Sequence, residues 1–409
     1  MRIIPIAPIA PAATAARAVG EQPQLQALPP LALYLHYPWC VRKCPYCDFN
    51  SHTVQANVPE AAYLAALIAD LEAALPQIWG RRIVSLFIGG GTPSLISAEG
   101  LEQLLNAIRA RLPLLPDAEI TLEANPGTVE ADKFAAFRAS GINRISLGIQ
   151  SFDDRHLAAL GRIHSAEEAH RAIDLALAHY ERVNLDLIYA LPQQTLEQAR
   201  CDIKTAAASG ASHVSAYHLT LEPNTPFHHA PPPLPDDDLA ADMQDMLEAE
   251  LAAAGFEHYE TSAFARPGQR CQHNLNYWHF GDYLGIGAGA HGKISSPAGI
   301  ARETRRKHPQ EYLDAAAQGD FVQQRSDIGN DQLPVEFMMN ALRLCQGFPL
   351  RLFEERTGLP AATLTQPLLQ AQRRGLLAIS AGQVQPTLQG QRFLNDLLQI
   401  FFPGDAGHM

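Results

Sequence analysis

The sequence predicts an α/β fold: parallel strands joined by crossover helices, followed by a small α+β domain of winged-helix type. Six short apolar strands between residues 31 and 223 are separated by sequence of helical period. Such alternation favours a parallel sheet. Runs such as "VSLFI" and "LDLIYAL" are apolar almost throughout, as strands covered on both faces should be. After about residue 325 the pattern changes to helix, helix, hairpin, helix. A six-unit barrel and an open doubly wound sheet fit equally well at this level.

The first strand, "LALYLHY" (31–37), stops just before a cluster of cysteines. The run "EAAYLAALIADLEAAL" (60–75) has helical spacing, and "IVSLFIGGG" (83–91) is a strand halted by glycines. In the helix "SAEGLEQLLNAIRARL" (97–112), Ser97 is placed as N-cap and Gly100 is a weak point. Then follow strand "AEITLEANPG" (118–127), helix "EADKFAAFRAS" (130–140), strand "INRISLGIQ" (142–150) and helix "SAEEAHRAIDLALAHY" (165–180). Strand "VNLDLIYALP" (183–192), helix "LEQARCDIKTAAAS" (196–209) and strand "HVSAYHLTLEP" (213–223) complete the series. "HHAPPPLPDDD" (228–238) is a Pro-rich loop whose aspartates open the helix "LAADMQDMLEAELAAAG" (239–255), where negative charge suits the helix dipole. The organisation expected is a disordered Ala/Pro-rich tail (1–30), a core with its extension (31–295), a linker (296–325) and a C-terminal domain (326–405).

Composition bounds the function. The chain has 409 residues, enough for two domains, with 47% hydrophobic and 18% charged residues. A net charge of -12 argues against a phosphate-backbone binder, so no nucleic acid is expected as partner. No apolar run reaches the length of a membrane-spanning helix. The N-terminus loosely imitates a secretory signal, but Pro5, Pro8 and Pro11 interrupt it. A cytoplasmic location is expected, with peripheral membrane contact left open.

Chemistry concentrates in "HYPWCVRKCPYCDFN" (36–50), where Cys40, Cys44 and Cys47 fall within eight residues. Close cysteines in a cytosolic chain point to metal or redox chemistry rather than a disulfide framework. Zinc would need a fourth ligand, for which His36 or His52 is available. Three cysteines also suit a 4Fe-4S cluster with one iron left open, since such clusters usually take four. "FIGGGTPS" (87–94) ends the next strand, where glycines let the backbone approach a ligand and offer N–H groups to an anion. Glu123, Gln150 and Asp186 stand at or near the ends of later strands, the end at which parallel α/β folds bind ligands. Each alone could equally be a salt bridge or a capped turn; together they point to one site.

These motifs resemble the radical S-adenosylmethionine superfamily: CxxxCxxC after a strand, an aromatic (Tyr46) before the last cysteine, then GGGTP. The likeness continues through "LEANPG", "GINRISLGIQSFDD", "LGRIH", "NLDLIYALP", "SAYHLTLEPNTPF" and "HNLNYW", over about residues 31–400. It points to the group related to oxygen-independent coproporphyrinogen III dehydrogenase, and within it to a haem chaperone branch.

The resemblance implies a partial (β/α)6 barrel and three cofactors: a 4Fe-4S cluster, S-adenosylmethionine and haem. Cys40, Cys44 and Cys47 would ligate three irons, the fourth taking the amino and carboxylate groups of S-adenosylmethionine. Gly90, Gly91 and Thr92 would meet its methionine end. Tyr34, Tyr46, Glu123, Gln150, Arg162 and Asp186 match positions lining the same pocket. A reduced cluster could then cleave the S–C5′ bond, the protein positioning the cofactors and excluding water. Implied partners are haem, a haem-receiving respiratory protein and an electron donor for the cluster; a homodimer stays open.

The dehydrogenases carry another cysteine two residues after the third cluster cysteine, where this chain has Phe49. Their second S-adenosylmethionine region also differs, "RCQHNLNYWHFGDYLGIGAGAHG" (270–292) standing in its place. Both departures favour the chaperone over porphyrinogen decarboxylation, which remains the alternative. Within "HNLNYW", His273 is the candidate haem ligand and Tyr277 and Trp278 are candidates to pack on the porphyrin. Cys271 and His291 are further candidates; His228 and His229, beside the Pro-rich loop, read as solvated.

Overall fold

The computed structural model describes residues 25–54, 58–128 and 131–402. The expected Ala/Pro tail, up to residue 24, lies outside them.

Six strands run in chain order across one sheet: β1 (Leu31–Tyr37), β2 (Ile83–Gly90), β3 (Leu114–Ala124), β4 (Arg144–Gln150), β5 (Val183–Tyr189) and β6 (His213–His218). Each pairs in parallel with the next. Intervening helices include α1 (Glu60–Ala74), α2 (Ala98–Arg111), α3 (Ala131–Ser140), α4 (Ala166–His179) and α5 (Leu196–Ala208). Their starts are written in the sequence. Ser97 accepts the Gly100 N–H at the head of α2, and Ser165/Glu168 and Thr195/Gln198 form reciprocal capping boxes on α4 and α5. Leu, Ile, Val and Phe from both layers form one continuous core between helices and sheet.

The sheet does not close. Beyond β6 lie β8 (Ala263–Ala265) and then β7 (Glu257–Glu260), both antiparallel additions. Beyond β1 lies β9 (Asp282–Ile286), parallel to it, then β10 (His291–Ser296), β11 (Gly299–Arg305) and β12 (Val322–Asp327). The architecture is therefore a partial barrel with an antiparallel extension at each edge.

That extension corrects one expectation. Residues 296–325 are not a linker: they supply β11 and β12 and the helix Pro309–Ala316. "GIARETR" looks like surface because it carries charge, yet Glu303 and Arg305 are buried. Arg305 pairs with Asp70 of α1 at 2.8 Å and with Glu303 at 3.0 Å. The charges satisfy one another inside the fold.

The C-terminal segment packs Leu333–Ala341, Arg351–Thr357 and Thr365–Arg373 around a hairpin, Leu377–Ser380 with Gln383–Pro386, to which Phe348–Pro349 adds a short third strand. Phe337, Phe348, Phe353 and Val384 sit at its core. Phe280 reaches into it from the sheet, 5.6 Å from the Phe337 ring.

Candidate functional site

The cysteine loop leaves β1 and is pinned at its base. Trp39–Cys40 pairs with His52–Thr53, the His52 N–H donates to Pro38 O at 2.7 Å and Val54 N–H to Cys40 O at 2.9 Å. Asn50 ties the loop to the far side of the sheet, donating to Ala288 O and Lys307 O at 2.9 and 2.8 Å. Inside it Cys44 is buried and Cys40 and Cys47 are half-buried. Burial pushes the Cys40 and Cys47 thiols up, and the neighbouring thiols add to this. Three such groups deprotonate together only when a cationic centre shares them. Among the described residues no three His, Cys, Asp or Glu side chains converge closely enough to hold one ion.

These cysteines line a cavity of about 480 Å³ with Tyr46, Gly90, Gly91, Thr92, Glu123, Gln150, Arg162 and Asp186. The parallel register brings them together, because Glu123 on β3 lies level with Ser146 on β4 and Asp186 on β5 level with Ser215. The glycines act differently from the expectation. Gly90 N–H donates to Glu123 Oε2 at 3.1 Å, Gly91 N–H to Tyr37 O and Thr92 N–H to Trp39 O, both at 2.7 Å. Their N–H groups are spent inside the protein and none is left for an anion. What glycine permits is closeness: a Cβ on Gly91 would stand 2.5 Å from Trp39 O, and Gly90 has φ +116 with the His36 ring against it.

The polar lining offers both acceptors and donors. Asp186 accepts from Ser146 Oγ at 2.7 Å and Asn184 Nδ2 at 2.9 Å, and burial still pushes its carboxyl up. Arg162 donates to Gly148 O at 2.8 Å and reaches Cys44 Sγ at 3.7 Å, while its buried Nε has no partner. A ligand carrying an amino group and a carboxylate beside a metal centre would satisfy this set: Glu123 and Asp186 oxygens for the one, Arg162 and Gln150 for the other. Glu123 is pushed up to about 8, chiefly by burial and then by Asp186. The native state therefore keeps a proton that the unfolded chain has lost between the ordinary 4.5 and about 8, and stability falls as pH rises through that window. Glu123→Gln is expected to flatten this slope in urea titrations of ligand-free protein at pH 5, 6, 7 and 8; an unchanged slope would refute the assignment.

Tyr34 stands elsewhere than expected. It lines a second cavity of about 700 Å³ with His36, Asn50, Tyr277, Tyr283 and His291, which meets the first at Gly90, Glu123 and the loop 47–49. Tyr277 opens onto this cavity and His273 does not. His273 is 1% exposed, its Nδ1 bonded to Ser85 Oγ at 2.9 Å and its Nε2 to Tyr277 Oη at 3.0 Å. Burial lowers it to about 4. Both ring nitrogens are engaged, so His273 offers no free atom to a ligand. Cys271 is likewise enclosed, its thiol on Glu119.

Sequence reading singled out neither Ser146 nor Tyr217, and it offered His36 only as a spare zinc ligand. Tyr217, although 43% exposed, faces the first cavity. His36 accepts from Tyr34 Oη and donates to Asn50 O at 2.9 Å, bracing strand and loop.

An open parallel barrel with three thiols on the loop after its first strand, facing polar groups at the ends of the next, defines a radical S-adenosylmethionine protein. Residues 34–204 match the model of the radical SAM superfamily and residues 329–393 that of the HemN C-terminal domain. Coproporphyrinogen III oxidase (HemN) from Escherichia coli has a similar fold, with a TM-score of 0.78 at 23% identity, covering 91% of this chain and 90% of that one. The chain is 49% identical over 376 residues to the "Heme chaperone HemW" of Escherichia coli K12, covering 91% of this chain and 98% of that protein. It is 40% identical to HemW of Mycobacterium tuberculosis H37Rv, over 82% of this chain and 87% of that one. A mitochondrial radical S-adenosyl methionine domain-containing protein 1 from Bos taurus is 34% identical, over 90% of this chain and 86% of its own length. The chain belongs to the HemW family. Among the described residues no helix is long and apolar enough to cross a membrane.

Proposed function

We propose that this protein is a haem chaperone that holds a 4Fe-4S cluster on Cys40, Cys44 and Cys47, binds S-adenosylmethionine beside it, and delivers haem to respiratory haem proteins in the cytoplasmic compartment. The observation that carries this is the opening of all three thiols onto the cavity lined by Glu123, Gln150, Arg162 and Asp186, in a chain 49% identical to a protein named a heme chaperone. A cluster held there and reduced by an external electron donor would supply one-electron chemistry to the site. The protein's own residues do the rest. Glu123 and Asp186 would accept hydrogen bonds from the ligand's amino group, and Arg162 and Gln150 would donate to its carboxylate. Gly90, Gly91 and Thr92 let β2 lie close enough to the cysteine loop to narrow the cavity, and Tyr46 closes it beside Arg162.

The test uses anaerobically reconstituted full-length protein. It is expected to take up haemin stoichiometrically and to leave coproporphyrinogen III unconverted with S-adenosylmethionine and reductant present. Formation of protoporphyrinogen would make it a dehydrogenase instead.

A further inference from the structure

We propose that the second cavity is the haem site and that Tyr277, not a histidine, supplies the atom that binds the iron. This rests on the chaperone reading, since it takes haem as the cargo. The cavity has the size of small-molecule pockets, about 700 Å³. Its wall mixes aromatic surface (Phe49, Tyr277, Tyr283) with two lysines, Lys43 and Lys307. A porphyrin needs both, flat apolar contact for the macrocycle and cations for its carboxylates.

Tyr277 is built as an iron ligand would be. It sits on the short helix Gln272–Trp278, with His273 four residues before it on the same face. The His273 Nε2 lies 3.0 Å from the phenolic oxygen and Nδ1 lies 2.9 Å from Ser85 Oγ. With Ser85 donating to Nδ1, the Nε2–H points at the tyrosine oxygen. Such a second layer fixes a metal ligand and stabilises its charge. Tyrosinate is an established axial ligand of haem. Ligation balances without redox change. The phenolic O–H bond breaks, its proton joins the hydroxide that ferric haemin carries, water leaves, and the phenolate oxygen bonds to iron. His273 stays neutral and keeps its hydrogen bond to that oxygen. It is a positioning residue here. Tyr283, 4.6 Å from the Tyr277 ring and held by Arg302 at 3.0 Å, keeps the ligand's plane fixed.

Haemin titration of full-length protein, read by resonance Raman and by the ferric tyrosinate charge-transfer band, decides the matter. Wild type is expected to show tyrosinate modes. Tyr277→Phe, which keeps the ring and its packing, is expected to lose them and to bind haemin at least tenfold more weakly, with unchanged circular dichroism and iron–sulfide content. His273→Leu is expected to shift the charge-transfer band, and His273→Gln, which restores an N–H donor, to bring it back toward wild type. A Tyr277→Phe protein with the wild-type spectrum and affinity overturns the proposal and leaves the chaperone reading standing. So does a histidine-type spectrum that His291→Ala abolishes. A wild-type protein that takes up no haemin overturns both.

Discussion

Serine in place of Cys40, Cys44 or Cys47, one at a time, is expected to leave anaerobically reconstituted protein with iron and acid-labile sulfide near background. The visible charge-transfer absorbance should vanish with them, while the far-ultraviolet circular dichroism stays that of the wild type. The chain has six cysteines, and the other three cannot stand in. Cys201 lies on the exposed face of α5 and Cys345 is buried elsewhere. Cys271 is enclosed with its thiol on Glu119 at 3.2 Å. Two thiolates remain after any single replacement, and a serine hydroxyl deprotonates far less readily than a thiol. The fold survives because the loop is held at its base by Trp39–Cys40 with His52–Thr53 and by Asn50, through backbone atoms and an amide rather than through sulfur. A Cys44→Ser protein that still assembled a full complement of iron and sulfide would remove these cysteines as the cluster ligands.

The parallel core was legible because its strands are apolar on both faces, its helices keep helical period, and Ser97 marks the start of α2. The extension β9–β12 was not. Its segments are rich in glycine or charge, and only the folded arrangement shows that Arg305 pairs with both Asp70 and Glu303, the latter also meeting Arg325. The cysteines and the strand-end acids could be read as one site because parallel strands present their carboxyl ends together. The side on which each group spends its hydrogen bonds could not. The GGGT run reads as a ligand-facing nest, yet the N–H groups of Gly90, Gly91 and Thr92 turn to Glu123, Tyr37 and Trp39. "HNLNYW" reads as a functional element by resemblance, but only the helix shows His273 turned inward on Ser85 and Tyr277 lining the cavity. Their i, i+4 spacing was the available clue.

Asp282→Ala is expected to cost about 3–5 kcal/mol of stability, the range for removing one partner of a buried ion pair. Asp282 is fully buried at the start of β9 and is shared by two cations. Oδ1 accepts from Lys293 Nζ at 2.9 Å and Ser295 Oγ at 2.8 Å. Oδ2 accepts from Arg81 Nη1 at 2.8 Å and the Ser295 N–H at 2.9 Å. Lys293 is 2% exposed, and burial already lowers its pKa. Without the carboxylate its ammonium keeps only Phe280 O at 3.2 Å and the Phe280 ring face. It must then ionise at the full desolvation cost or give up its proton. The damage also reaches function, because β9 and β10 carry Tyr283 and His291 into the second cavity. Haemin affinity should therefore fall with stability. Adding Lys293→Met removes the stranded charge while keeping most of the volume, so the double variant is expected to unfold at a higher urea concentration than Asp282→Ala alone. A single variant within 1 kcal/mol of wild type, or a double variant no better than the single, would show that the pair does not hold this edge of the sheet.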